Sequence, residues 1–370
     1  MDRQALIDLD AIRDNVSALC ERVRGSQVMA VVKADGYGHG MVPAARAALA
    51  GGASWLGTAD PDEALALRRA GLTAPVLCLM AIGEPAEAIR NDIDVTAGSA
   101  SFVARVADAA RRAGVPARLH LEADTGLNRG GASPADWPHL VDAALAAQAS
   151  GLLRVTGLWS HFACADLPGH PSVATQLAVF ADAVTCAEKV GLTPEIKHIA
   201  NTAAALTVPE SRLDLVRFGG AVYGLSTLRG GAPSWLRPAM TLSARLALVK
   251  RVPPGSGVSY GHRYVTDRET TLGLVPLGYA DGVPRGATGL PLVTARGRRW
   301  PIAGTVCMDQ FVIDFGDEPV AAGEDVVLFG PGDDGEATAQ EWGEALGTIS
   351  YDIVTGIGAR VPRTSPGGPA

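Results

Sequence analysis

The chain has 370 residues and a net charge of −7 at pH 7; 47% of its residues are hydrophobic and 19% are charged. This composition provides a large core and excludes intrinsic disorder, while the acidic balance argues against nucleic acid as the main partner. No apolar stretch reaches the roughly 18 residues of a membrane span, and the length fits a (β/α)₈ barrel of about 250 residues plus a second domain.

The cysteines and the first residues indicate where the protein works. The five cysteines are scattered and show no CxxC spacing, which is typical of reduced thiols rather than of a disulfide framework or a zinc site. Charged residues interrupt the first 15 positions, so these do not resemble a signal peptide. We therefore predict a cytoplasmic protein with no membrane partner.

Strand-like and helix-like segments alternate from residue 27 to about residue 225. Apolar runs rich in Val, Leu and Ile predict eight buried strands, at 27–33, 54–58, 74–79, 93–97, 117–123, 154–161, 195–200 and 213–218. Amphipathic segments separate them, and glycines such as Gly71, Gly114 and Gly191 stand where helices would end. This order predicts an α/β fold with a parallel TIM-like (β/α)₈ barrel. A doubly wound sheet is the alternative, but it usually has fewer strands, and no GxGxxG follows the first strand.

The pattern changes after about residue 236. Strand-like segments with Gly/Pro turns and few helices follow, at 241–252, 270–278, 298–304, 310–316 and 324–330, and they predict a mostly β domain. The first residues also resemble a strand. We expect residues 1–10 to join the β domain, 11–235 to form the barrel, 236–363 to form the β domain and 364–370 to be a disordered tail.

Polar residues interrupt the barrel pattern where strands end. Because barrel chemistry sits at the C-terminal ends of the strands, these positions predict a site. Lys33 closes strand 1, Glu122 and Arg129 follow strand 5, and His161 closes strand 6. Asn201 and Thr202 follow strand 7, and Arg217 closes strand 8 with Gly219 and Gly220 after it. Each is unremarkable alone, but their convergence at one face predicts an active site.

The residue types at this face indicate a cofactor. Burial beside Val31 and Val32 lowers the pKa of a lysine such as Lys33, and neutral lysine amines form Schiff bases with aldehydes. The hydroxyl of Thr202 and the amides of Gly219 and Gly220 stand where many barrels hold phosphate. With no metal-binding cluster in the sequence, this combination suggests pyridoxal 5′-phosphate (PLP).

Motifs along nearly the whole chain carry a family resemblance. They are AVVKADGYGHG (30–40), DTGLNRGG (124–131), SHFACAD (160–166), IANTAAAL (199–206), VRFGGAVYGL (216–225), VSYG (258–261), GYADG (278–282), CMDQ (307–310) and RVPR (360–363). In this order and spacing the set strongly resembles the alanine racemase family. These are PLP enzymes with a barrel and a β domain, which interconvert L- and D-alanine for peptidoglycan.

The resemblance implies two catalytic residues. Lys33 matches the lysine that binds PLP and serves as base for the D-enantiomer, and Tyr260 matches the base for the L-enantiomer. Tyr260 belongs to the β domain, and in the family it reaches the barrel mouth of the other subunit. The resemblance thus implies an obligatory homodimer with shared active sites.

It also implies roles for residues around the cofactor and the substrate. Arg217 matches the arginine that faces the pyridine nitrogen; it stays protonated and weakens the ring as an electron sink. His161 matches its contact. The segments around the phosphate contain Tyr37, Asn201, Thr202, Gly219, Gly220 and Tyr223. Arg129 and Met308 match residues near the substrate carboxylate, and the entrance positions are Asp166, Tyr279, Arg285 and Asp309.

Several positions depart from the family pattern. Thr202 replaces a common Ser and keeps the hydroxyl, whereas Gly220 replaces a larger apolar residue and loses a contact. Ala359 and Thr305 stand where some members have a gate tyrosine and an arginine, which leaves the substrate range open. Glu122 stands where many members have a lysine that CO₂ carbamylates into an anion. We hypothesise that its carboxylate supplies the same negative charge and holds Arg129.

Three alternatives remain at this stage. The first is racemisation of a broader set of amino acids, including serine, on the same fold. A PLP-dependent decarboxylase is the second, but it would need an acidic partner at the pyridine nitrogen, and Arg217 argues against it. The third is a non-enzymatic PLP carrier, typically a barrel alone, and the complete β domain with Tyr260 argues against it.

Overall fold

The structure is a computed structural model and describes residues 2–80, 82–226, 228 and 233–366. The chain begins with strand β1 (Arg3–Ile7) and continues with strands and helices in alternation. The strands are β2 (Gln27–Val31), β3 (Trp55–Thr58), β4 (Val76–Cys78), β5 (Asp94–Ala97), β6 (Ala117–Glu122), β7 (Leu153–Trp159), β8 (Ile196–His198) and β9 (Leu215–Phe218). The helices are α1 (Leu9–Arg22), α2 (Lys33–Tyr37), α3 (Met41–Ala50), α4 (Pro61–Arg69), α5 (Ala86–Arg90), α6 (Ala100–Ala113), α7 (Trp137–Ala149), α8 (Pro171–Lys189) and α9 (Thr202–Thr207).

Strands β2 to β9 form one parallel sheet, and each of them falls within a predicted strand or one residue beside it. Their order is β8-β7-β6-β5-β4-β3-β2-β9, so the sheet curves round until β8 and β9 meet. The amide of Asp214 donates to the carbonyl of Lys197 (3.2 Å), and that of Arg217 donates to Ala200 (3.1 Å). These bonds close the ring, which confirms the predicted barrel and excludes the doubly wound sheet.

Helix α6 shows how local sequence produces the outer layer of the barrel. Its N-cap, Ser99, accepts from the amide of Phe102 at 3.2 Å, and it ends at Gly114, whose φ of 76° suits glycine. Between these ends, Phe102, Val103 and Val106 face inward and are buried. Burial of each such side chain contributes about 1.5–3 kcal/mol, so the amphipathic pattern holds the helix to the sheet.

The segment after residue 239 is mostly β structure, as predicted. Its elements are β10 (Met240–Arg245), β11 (Leu248–Val252), β12 (Gly257–Val258), β13 (Tyr264–Val265), β14 (Thr270–Val275), β15 (Val293–Ala295), β16 (Arg298–Trp300), β17 (Ile302–Ala303), β18 (Phe311–Gly316), β19 (Asp325–Phe329), α10 (Ala339–Leu346), α11 (Ser350–Thr355) and β20 (Arg363–Thr364). They form a six-stranded sheet, β16-β15-β19-β10-β1-β20, and a four-stranded sheet, β11-β14-β18-β17, with β12 and β13 paired separately.

Both ends of the described chain enter the six-stranded sheet. Strand β1 pairs antiparallel with β10, and it pairs parallel with β20, where Leu6 lies opposite Thr364. The prediction of a disordered tail from residue 364 is therefore wrong at Thr364, because this residue is held in a strand. Residues 367–370 of that prediction lie outside the described residues. Among the helices that the structure describes, none is both long enough and apolar enough to cross a membrane.

Candidate active site

A strained turn follows strand β2 and carries the first site residues. Ala34, Asp35 and Tyr37 all have left-handed backbone angles, with φ between 50° and 53°, and Gly36 and Gly38 continue the same conformation. Each such non-glycine residue costs roughly 1–2 kcal/mol, so other contacts must hold the turn. The amide of Gly38 donates to the carbonyl of Ala34 at 2.9 Å, closing one left-handed helical turn.

Two side chains fix this turn, the half-buried Glu63 and the buried His39. The carboxylate of Glu63 accepts from the amide of Ala34 at 2.7 Å and from that of Ala59 at 2.8 Å. Nδ1 of His39 lies 3.1 Å from the carbonyl of Gly36 and 2.9 Å from that of Tyr37, and this imidazole is fully buried. His39 therefore shapes the turn beneath the site and does not line the cavity.

The turn presents Lys33 to a cavity of about 1210 Å³ at the mouth of the barrel. Burial is the main cause that lowers the pKa of Lys33, and the nearby charges of Arg129 and Arg217 lower it further, against an opposing effect of Glu63. The neutral form of this amine is therefore easier to reach than that of an exposed lysine, and it is the form that reacts with an aldehyde.

The ends of strands β8 and β9 form a cradle of bare backbone beside Lys33. The hydroxyl of Thr202 accepts from the amide of Gly219 at 3.3 Å, and Asn201 caps α9 by accepting from the amide of Ala204 at 3.1 Å. A β carbon on Gly219 would lie 2.5 Å from the hydroxyl of Tyr37. A larger residue at this position would have to displace the Tyr37 hydroxyl, so with glycine here backbone amides and hydroxyl groups line this part of the cavity.

Tyr351 is a cavity residue that sequence analysis missed. Its ring packs edge-on against Tyr37, with ring centroids 5.5 Å apart, and it lines the cavity beside Gly220. The predicted tyrosine, Tyr223, is fully buried behind Tyr37, and its hydroxyl donates to the carbonyl of Val31 at 3.2 Å. Tyr223 therefore supports Tyr37 from behind. Tyr351 gave no strand-end signal because it lies on α11, far from the barrel in sequence.

Arg217 is buried at the base of the cavity, and the protein holds both of its terminal nitrogens. Nη1 lies 2.8 Å from Nδ1 of His198, while Nη2 donates to the carbonyl of Ser160 at 2.8 Å and lies 3.2 Å from Nδ1 of His161. Among the described residues Nε has no hydrogen-bond partner, so this N–H is available to a ligand in the cavity.

Charges within the site keep its two central groups in defined states. Burial lowers the pKa of Arg217 to about 9, with Glu122 acting in the opposite direction, so the guanidinium stays charged near neutral pH. Burial and then Arg217 lower the pKa of His161 to about 3, which leaves its imidazole neutral. Arg217 is therefore the donor in this pair and His161 the acceptor.

Glu122 and Arg129 line the same cavity, but no ion pair within 4 Å joins them among the described residues. The carboxylate of Glu122 lies against Gly130, where a β carbon would be 3.1 Å from each of its oxygens. Burial raises the pKa of Glu122 to about 7, against the charges of Arg217 and Arg129 that lower it. The direct bidentate pair hypothesised from the sequence is thus not formed, although the two charges influence each other.

Tyr260 lies away from Lys33, at a second cavity of about 250 Å³ that Tyr279 and Arg285 also line. Its side chain is 73% exposed and Met308 is 52% exposed, which is unusual for large side chains of this kind. Thr305 is buried and donates to the carbonyl of Tyr260 at 3.0 Å, so it supports this loop from beneath.

The structure thus divides the predicted site residues into two groups. The barrel cavity brings together Lys33, Tyr37, Glu122, Arg129, His161, Asp166, Asn201, Thr202, Arg217, Gly219 and Gly220. Tyr260, Tyr279 and Arg285 share the second cavity. Asp309 accepts from Arg360 at 2.7 Å, and Ala359 is exposed in the turn before that arginine.

Comparisons with known proteins agree with this arrangement. The family model "Alanine racemase, N-terminal domain" matches residues 7–227, and "Alanine racemase, C-terminal domain" matches residues 239–365. The alanine racemase of Thermobifida fusca is 61% identical over 366 residues, which cover 98% of each chain. That of Mycolicibacterium smegmatis is 48% identical over 365 residues, or 98% of this chain and 94% of the relative.

Solved structures show the same similarity. The alanine racemase from Streptomyces coelicolor superposes with a TM-score of 0.96 at 55% identity, covering 99% of this chain and 98% of the other. A Bacillus anthracis alanine racemase with bound L-Ala-P gives a TM-score of 0.91 at 36% identity, covering 99% and 95%. Fold, site and comparisons define an isomerase, a racemase built from a barrel and a β domain. The chain belongs to the alanine racemase family.

Proposed function

We propose that this chain racemises alanine with PLP held at Lys33 and thereby supplies D-alanine for peptidoglycan. The observation that carries the proposal is the barrel cavity, where a lysine with a lowered pKa lies beside a glycine cradle and a buried arginine. The residues fit the cofactor. The amine of Lys33 suits its aldehyde, and the backbone of Gly219 and Gly220 with the hydroxyls of Tyr37, Thr202 and Tyr351 suits its phosphate.

PLP would act as an electron sink that acidifies the Cα–H bond of the amino acid. Arg217 would donate to the ring nitrogen through Nε and, because it stays charged and cannot give up its proton readily, would leave that nitrogen unprotonated. This would limit side reactions such as transamination. Arg129, which lines the same cavity, would bind the substrate carboxylate.

Racemisation requires a proton to leave one face of Cα and to return on the other. We assign the amine of Lys33 to one face and the phenol of Tyr260 to the other. Tyr260 is exposed at a separate cavity of its own chain, so a second copy would have to bring it to Lys33. This supports a homodimer with shared active sites, in which Met308, Tyr279, Arg285 and Asp309 line the approach together with Asp166.

Glu122 would act as the anion facing Arg129 across the cavity rather than in direct contact with it. The influence of Arg129 and Arg217 on the pKa of Glu122 supports this role. A ligand or water between the two side chains would complete the arrangement. The free thiols of Cys20, Cys78, Cys164, Cys186 and Cys307 agree with a cytoplasmic location.

Borohydride reduction of the PLP-loaded protein tests the proposal. Reduction should fix the pyridoxyl group to one peptide that contains Lys33, because this lysine alone lines the cavity. Lys189, Lys197 and Lys250 serve as internal controls, and a label on one of them would overturn the assignment. Incubation with L-alanine alone should yield D-alanine, detected by chiral analysis. Incubation with L-serine alone is the second measurement, and a rate equal to that with L-alanine would favour the broader racemase.

A further inference from the structure

A chain of buried polar groups runs through the barrel from Arg217 to the end at which the strands begin. Nη1 of Arg217 lies 2.8 Å from Nδ1 of His198, and Nε2 of His198 lies 3.0 Å from Nδ1 of His120. Nε2 of His120 lies 3.2 Å from Oδ2 of Asp94. His198, His120 and Asp94 are each 0% exposed, so these contacts are shielded from bulk water.

Arg118 binds Asp94, the last of these buried groups. Its Nε donates to Oδ1 of Asp94 at 2.7 Å, and Nη2 donates to the same oxygen. The hydroxyl of Thr156 donates to Oδ2 at 3.0 Å. The Arg118 side chain is 32% exposed and also pairs with the exposed carboxylate of Asp92 at 2.7 Å.

Only one arrangement of protons satisfies every contact. The guanidinium of Arg217 can only donate, so Nδ1 of His198 must accept, and burial beside Arg217 keeps the pKa of His198 well below its usual value. A neutral His198 then carries its proton on Nε2 and donates to Nδ1 of His120. His120 in turn carries its proton on Nε2, which faces the carboxylate of Asp94. In the structure this last pair is 3.2 Å apart but outside hydrogen-bond geometry, and among the described residues Nε2 of His120 has no hydrogen-bond partner.

We propose that Asp94 is a positioning residue for the racemase reaction: through His120 and His198 it fixes the direction of the hydrogen bonds and holds Arg217 as a donor toward the cofactor. Trp159 limits any other orientation, because its ring lies parallel to His198 at 5.8 Å between centroids and beneath the guanidinium of Arg217 at 4.9 Å. The part of this inference that concerns the cofactor rests on the proposed function.

Asp94→Asn provides the sharpest variant because it keeps the shape of the side chain. Arg118 can only donate, so it holds the amide oxygen of the asparagine on its own side and leaves the NH₂ group facing His120. His120 must then accept through Nε2, which moves its proton to Nδ1 and forces the proton of His198 to Nδ1 as well. That N–H would meet Nη1–H of Arg217, donor against donor. The same Asp-to-Asn change in a Ser-His-Asp catalytic triad leaves the geometry intact but gives the histidine the wrong tautomer.

We expect Asp94→Asn to lower kcat by roughly 10–100-fold, as removal of an outer partner of a site group often does. The KM for alanine should change little, because Asp94 does not face the substrate. Two controls are matched to it. Asp92→Asn makes the same change on the exposed partner of Arg118 and should leave kcat unchanged. In the double variant Asp94→Asn/Arg118→Met, the asparagine is free to turn its oxygen toward His120, so kcat should recover in part.

A readout independent of catalysis comes from ¹⁵N-histidine NMR, because the chain has only seven histidines. With or without PLP, the parent protein should show His120 and His198 as Nε2–H tautomers, and Asp94→Asn should show them as Nδ1–H tautomers. An Nδ1–H tautomer of either histidine in the parent would overturn the proposal even if no variant folds. Unchanged kcat in Asp94→Asn with PLP bound at Lys33 would also overturn it and leave the proposed function standing. Failure to bind PLP would refute the proposed function and the part of the inference that concerns the cofactor, whereas the histidine tautomers would still test the direction of the hydrogen bonds.

Discussion

The ring of Tyr351 fills the space beside Gly220 in which a larger side chain would otherwise lie. A β carbon on Gly220 would come within 2.2 Å of the ring carbons Cε1 and Cζ. The same ring packs edge-on against Tyr37. The contact that we expected to be lost at this glycine is thus replaced by an aromatic side chain from a helix near the end of the chain.

Gly220→Ala should therefore weaken PLP binding. The added methyl group forces the Tyr351 ring away from the cradle, and overpacking of this kind costs about 1–3 kcal/mol, which corresponds to a dissociation constant raised roughly 5-fold to 150-fold. Titration of the cofactor-free protein with PLP, followed by absorbance, measures the effect. In the Tyr351→Ala background the same substitution should cost much less, because the ring is absent. An equal loss in both backgrounds would mean that the ring is not the cause.

Removal of the Glu122 charge should stabilise the cofactor-free protein at high pH. The pKa of Glu122 is raised to about 7 from 4.5, so the folded protein binds this proton more tightly than the unfolded chain. The resulting stability is complete below about pH 4.5 and is lost as the pH rises through 7. Glu122→Gln should match the parent in Tm near pH 5 and exceed it near pH 8.

The difference should not exceed about 3.5 kcal/mol, since the pKa is raised from 4.5 to about 7 and one pKa unit corresponds to about 1.4 kcal/mol. Glu344→Gln removes an exposed carboxylate from the rim of the same cavity and serves as the control. A Tm difference for Glu122→Gln that does not vary with pH would contradict the prediction. In the activity assay, Glu122→Gln should be slower than the parent, and added CO₂ should not restore the rate.

Mixed dimers should show whether two chains build each site. Lys33→Ala and Tyr260→Phe homodimers should each be inactive, because each lacks one of the two bases at both sites. After random subunit exchange, half of the dimers are mixed and each has one intact site, so about one quarter of the parent activity should return. Heterodimers that form, bind PLP and stay inactive would place both bases in one chain.

Thr305→Val tests whether the loop that bears Tyr260 must be held in place. Thr305 donates to the Tyr260 carbonyl, and the neighbouring Ser259 adopts a left-handed backbone with φ of 61°. Loss of this buried hydrogen bond should cost about 1 kcal/mol and slow kcat several-fold while PLP binding is unchanged. Thr305→Ser keeps the hydroxyl and should retain most of the activity. Equal effects of the two substitutions would argue for packing rather than hydrogen bonding.

The barrel could be predicted because its signals are local. Each of the eight strands is a short apolar run, and residues such as Lys33 and Arg217 stand out at the ends of such runs. Parallel strands bring these ends to one face, so their convergence follows from the fold itself. Helix ends could be predicted for the same reason, since Gly114 adopts the left-handed conformation expected of a glycine that ends a helix.

Contacts between distant segments could not be predicted in the same way. Tyr223 and Tyr351 are the same residue type, and no local pattern tells them apart. Their packing in the fold decides that Tyr223 is buried and that Tyr351 lines the cavity. The buried polar groups that run from Arg217 to Asp94 did leave a signal that sequence analysis missed. Asp94, His120 and His198 each place a polar side chain at a fully buried position of a strand, which is costly unless the groups meet one another.

The pairing of β1 with β10 and β20 makes the barrel an insertion within the six-stranded sheet. The first strand emerges from the ribosome long before either of its neighbours, and its buried residues Ala5 and Ile7 have no sheet to join until then. Completion of that sheet therefore requires synthesis at least as far as Thr364. A nascent chain halted after the barrel would carry an unpaired apolar strand edge, the kind of feature that favours aggregation.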